Sequence, residues 1–88
     1  MAGPYETERQ ARQAAIAAAG PPRPGWSILS EAQLHNLLLD ACEAAGVQLG
    51  DYDRRILAWL THYEDATVAV VAGLIERAAA AGRAGGDR

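Results

Sequence analysis

Lysine and phenylalanine are absent from this chain, and cysteine and methionine occur once each. The single thiol, Cys42, excludes an intramolecular disulfide and gives no sign of an oxidising compartment. Positive charge is scarce: eight basic residues, all Arg, stand against eleven acidic ones, for a formal net charge of −3. The chain as a whole lacks the basic footprint of a nucleic-acid binder. Long apolar runs are missing too. The longest, residues 68–75, is far short of the ~20 residues that span a bilayer. The polar N-terminal stretch carries Glu6 and Glu8, and it lacks the basic start and apolar run of a secretory signal. These absences lead us to expect a soluble, cytoplasmic protein. Heavy use of Ala, Gly and Arg without Lys or Phe fits a GC-rich genome, and so a bacterial source.

Eighty-eight residues set a ceiling of one domain. The hydrophobic fraction is 50%, but much of it is alanine, which contributes little buried area per residue. A chain this short buries only roughly 60% of the surface its unfolded form exposes. A second copy or a partner would relieve that marginal stability.

What is present is helical patterning, with no strand signal and no internal repeat. Residues 5–19 read as a helix by alanine propensity, with Glu8 and Arg12 at the favourable i, i+4 spacing. Tyr5 and Ile16 are its sole large apolar residues on a common side. Such a helix has little to bury, so we expect it to be loosely attached and prone to fray. Residues 20–26 form a Pro/Gly linker, semi-rigid and extended. Trp26 is placed to pack back on the helix that follows.

That second helix starts at Ser27 or Ser30, and Ser30 with Gln33 has the capping-box form. Leu34, Leu37, Leu38, Ala41 and Ala45 make its inner stripe. Gly46 stops it in a left-handed cap, with Val47 folding back. Asp51 is the expected cap of the third helix. There Tyr52, Ile56, Trp59, Leu60 and Tyr63 recur at i, i+4, i+7, i+8 and i+11, the cleanest periodicity in the chain, and the stripe is assigned to the core. Asp65 is the expected cap of a fourth helix, although no Gly or Pro separates it from the third, and one bent helix is the alternative.

The fourth helix is apolar on too much of its circumference. Val68, Val71, Ala72, Ile75 and Ala79 supply one stripe at helical spacing. Val70 and Leu74 lie ~40° from each other, but ~200° and ~120° from Val68, at ~100° per residue. They cannot share the core that Val68 and Ile75 fill. The expected fold is therefore all-α: a small three-helix bundle from about residue 27 to residue 81, preceded by a loosely attached Ala-rich N-terminal helix. The corresponding organisation is a helix over residues 1–19, the linker 20–26, a helical core domain 27–82 and a disordered tail 83–88.

Tests for chemistry return little. Glu31, His35 and Cys42 fall near one side of the second helix. His35 and Cys42 are about 10 Å apart along the axis, too far to share a zinc whose bonds are ~2.0–2.3 Å long. Cys42 reads instead as a small buried hydrophobe. His62 and Asp65 could form a His–carboxylate pair, but no nucleophile is placed beside them. Asp51, Asp53, Glu64 and Asp65 sit at helix starts, where carboxylates belong for backbone reasons. The glycines near the linker are interleaved with prolines and carry no Lys, so they match no phosphate loop. We expect no enzyme activity, no catalytic residue, no metal and no cofactor.

The expectation that remains is a small regulatory or accessory protein that acts by protein–protein binding, with a second copy of itself among the candidate partners. The partner surface predicted from sequence is Val70, Leu74, Ala69, Gly73 and Arg77 on the fourth helix, with Leu39 on the second. Ala69 and Gly73 are small enough to let another helix approach. The alternative is a helix-turn-helix DNA-binding regulator using Arg54, Arg55, Thr67 and Arg77. Its recognition helix would offer Ala69, Gly73, Glu76 and Ala80 to the bases, a poor set for reading their edges.

Overall fold

The structure is a computed structural model that describes residues 3–22, 24–25 and 28–85. Among the described residues there are four α-helices and no strand. They are α1 (Glu8–Ala19), α2 (Glu31–Ala44), α3 (Asp51–Leu60) and α4 (Asp65–Gly85). None is long and apolar enough to cross a membrane.

The helix ends follow local chemistry. Thr7 opens α1, its hydroxyl accepting from Gln10 N–H while the Gln10 side chain accepts from Thr7 N–H. Ser30 and Gln33 make the same reciprocal box at the start of α2. Gly46 closes α2 at φ +75°, with Val47 N–H donating to Cys42 O and Gly46 N–H to Glu43 O. That is a Schellman ending, and the left-handed residue it requires favours glycine. Gly50 rather than Asp51 caps α3, and Asp53 accepts the Gly50 N–H at 2.9 Å. Residues 61–64 form a turn, so α3 and α4 are separate helices. Asp65 is the first residue of α4 rather than its cap. Gly82 does not stop α4, which runs on to Gly85. Residues 83–85 are thus helical rather than tail, and residues 86–88 lie outside the described set, as do Trp26 and Ser27.

The core has a different membership from the expected bundle. Both α1 and α2 pack along α4 and on each other, while α3 rests on α2. Leu34, Leu37, Leu38 and Ala41 enter from α2, and Val68, Ala69 and Ala72 from α4. The second of these groups includes the predicted inner stripe of α4, with Val71 and Ile75 partly buried at its margin. From α1, Ala11 and Ala15 are fully enclosed. The loosely attached arm expected from sequence is corrected here: α1 is one of the three packed helices. Its alanines are an advantage, because side chains of one carbon let two helix backbones come close. Arg12 fastens the contact, its guanidinium 3.0 Å from Asp65 on α4 and 2.6 Å from Glu8 on its own helix. The linker is held as well, by Gln33 Nε2 donating to Pro21 O at 2.9 Å.

The helix displaced from the core is α3. No residue of it is buried. Leu57 and Leu60 alone lean on the core. This corrects the assignment of the α3 stripe to the interior.

Candidate functional site

At ~100° per residue, Tyr52, Ile56, Trp59 and Tyr63 lie within ~60° of one another. Leu57, which leans on the core, lies on another side of α3. The stripe itself faces outward, and its members are between 39% and 69% exposed. Trp59 and Tyr63 meet edge to face, with ring centroids 5.2 Å apart, the arrangement that opposed ring quadrupoles favour. Two long aromatic side chains thus hold each other in place on the surface. The patch is contiguous, and contiguous apolar patches, unlike scattered residues, mark interaction sites.

A shallow pocket of about 380 Å³ adjoins Trp59 between α2 and α3, with Glu31, His35, Arg55 and His62 on its walls. His62 Nδ1 is 3.1 Å from Glu31 Oε1, the distance at which its N–H donates to the carboxylate. The His62–Asp65 pairing considered from sequence does not form, because Asp65 is taken by Arg12. His35 Nε2 is buried without a hydrogen-bond partner among the described residues. Among those residues no three His, Cys, Asp or Glu side chains gather as a metal site. The hydroxyl on the pocket wall, that of Thr61, donates to Ala58 O. Ser30 is engaged as a cap. Cys42 is buried, and burial pushes its thiol pKa up, with the nearby Asp53 charge adding to the effect. A thiol held protonated is a weak nucleophile.

The residues expected to meet a partner divide. Val70 and Leu74 are exposed, at 38% and 53%. Ala69 and Gly73 are buried, which corrects their place in that set. Their small size serves packing within the chain rather than the approach of an outside helix. Arg77 is half-buried, with its guanidinium 5.9 Å from the centroid of the Tyr5 ring, a cation–π geometry. Burial pushes the Tyr5 hydroxyl pKa up, Glu76 adds to this, and Arg77 opposes it. Leu39 is half-buried in a groove beside Asp40, Glu43 and Arg54.

The residues of the DNA-binding alternative are dispersed. Arg54 lies in that acidic groove, Arg55 faces the Glu31 pocket, and Thr67 sits among Glu6, Glu8 and Glu64. Arg77 is against Tyr5. They make no common basic surface. The α3 face was the site missed from sequence, although its periodicity was plain; the missing signal was which neighbour covers it. Compared with known proteins, the chain matches no family model, no curated protein and no solved structure.

Proposed function

We propose that the protein works by binding another protein chain through the apolar face of α3, as a regulatory or accessory subunit rather than an enzyme. One observation carries this reading: the helix with the cleanest apolar periodicity turns that stripe to solvent. Leaving a large apolar side chain wet forfeits about 1.5–3 kcal/mol of available burial. Four such residues on one side of a ten-residue helix are therefore a strong drive toward association. Their chemistry also fits, because Trp and Tyr are the residues on which binding energy concentrates at interfaces. Val70 and Leu74 offer a second, smaller face on α4.

The test is capture of partners from the native host by the tagged chain, with Ile56→Asp and Trp59→Asp as paired variants. Both should keep the helical signal and a cooperative melt, and both should lose the protein that wild type captures. Capture that vanishes on nuclease treatment would point to nucleic acid instead. Capture lost in Val70→Glu/Leu74→Glu but kept in the α3 variants would move the site to α4.

A further inference from the structure

We infer that the occupant of the α3 face is α3 of a second copy of this chain, so that the protein is a homodimer joined helix to helix. This rests on the reading of α3 as a docking face and gives the partner. Three observations support it.

The first is spacing. Tyr52, Ile56, Trp59 and Tyr63 are separated by four, three and four residues. That is the heptad seam by which two helices interlock side chains. A groove-binding peptide or a flat surface does not demand it, whereas a facing helix does, and the chain already carries a helix of that pattern.

The second is area. The accessible surface is 5848 Å², against roughly 5,000 Å² for a compact monomer of this mass. The excess is close to the ~800 Å² that one partner contributes to a standard interface. The outward stripe of α3 supplies on the order of 400 Å² of it as apolar surface, from residues that expose about half of the 150–250 Å² each presents.

The third is permanence. α3 has ten residues and buries none of them, and an isolated helix shorter than ~12–15 residues is marginal in water. A helix in that position needs its cover at all times. A second copy is the partner always present in proportion to the chain, and a two-fold axis lets one patch serve both sides.

Sedimentation equilibrium of the full chain over a micromolar to millimolar series tests the inference. The mass should approach twice the 9.3 kDa of one chain. In a Trp26→Phe background Trp59 is the sole tryptophan, and its emission should shift to shorter wavelength as the mass rises. Ile56→Asp should hold the mass at one chain while Val70→Glu leaves the dimer in place. If Ile56→Asp unfolds the chain, the Trp59 emission of the folded parent still decides. A single-chain mass throughout, with emission unchanged, overturns the inference. So does a dimer that survives Ile56→Asp and yields to Val70→Glu. A monomer that still captures a foreign protein through α3 overturns the second copy alone and leaves α3 as a docking face. α3 variants that change neither mass nor capture remove both.

Discussion

α1 and α3 are nearly equal in length, at twelve and ten residues, and they stand in opposite relation to the core. α1 offers mainly alanine and buries Ala11 and Ala15 completely. α3 offers Tyr52, Ile56 and Trp59 and buries nothing. The contrast separates two ideas often joined. An amphipathic stripe measures how much a helix would gain by being covered, while the neighbours within reach determine whether it is covered. α4 presents small residues at Ala69 and Ala72, and an alanine helix is the shape that fits closely against them. α3 is joined to α2 and α4 by short turns at residues 45–50 and 61–64. It meets the core through Leu57 and Leu60, and its broad side turns away.

Removing α1 should break this comparison most severely. Deletion of residues 1–20 uncovers α4 and α2 together, and in a domain of ordinary marginal stability the cooperative thermal transition should disappear. A transition that survives would return α1 to the role of a loose arm. Next is Ala15→Glu, which drives a carboxylate into a fully enclosed site. It should cost about 3 kcal/mol or more in denaturant titration, and a cost near zero would mean that α1 lifts away freely. Asp65→Asn removes the charge that holds Arg12 and ties α1 to α4. The melting temperature should fall by a smaller step, and the gap to wild type should narrow as salt is raised. The smallest effect belongs to α3. At concentrations that leave the chain monomeric, Trp59→Ala should cost less than about 1 kcal/mol. A loss like that of a buried Trp, about 3–5 kcal/mol, would place the stripe inside after all.

The parts of the fold legible in the sequence are those fixed by residues a few positions apart. Ser30 with Gln33, and Gly46 with Val47, specify the two ends of α2 through backbone hydrogen bonds. The inner sides of α2 and α4 were legible as well, since Leu34, Leu37, Leu38, Val68 and Ala72 leave little choice of side. The exposure of Val70 and Leu74 followed from the same angular argument. What escaped depends on distant pairs. Periodicity identified the apolar side of α3 but carried no information on what stands opposite it. Alanine gave α1 no stripe to read, because close packing needs small volume rather than large apolar area. Gly82 looked like a stop, yet glycine within a helix costs only about 1 kcal/mol relative to alanine, and α4 continues past it.

The brackets that hold α3 have an evolutionary consequence. Gly50 begins the segment, Thr61 ends it, and Leu57 and Leu60 alone tie it to the core. Positions 52, 56, 59 and 63 therefore answer to whatever lies outside the chain and to almost nothing within it. Mutation can rewrite those four side chains without taxing the scaffold, so recognition is free to drift while the architecture stays put. A designer inherits the same freedom: α3 is a ready graft site, where a new helical epitope of equal length can be spliced in provided that the two leucines are kept.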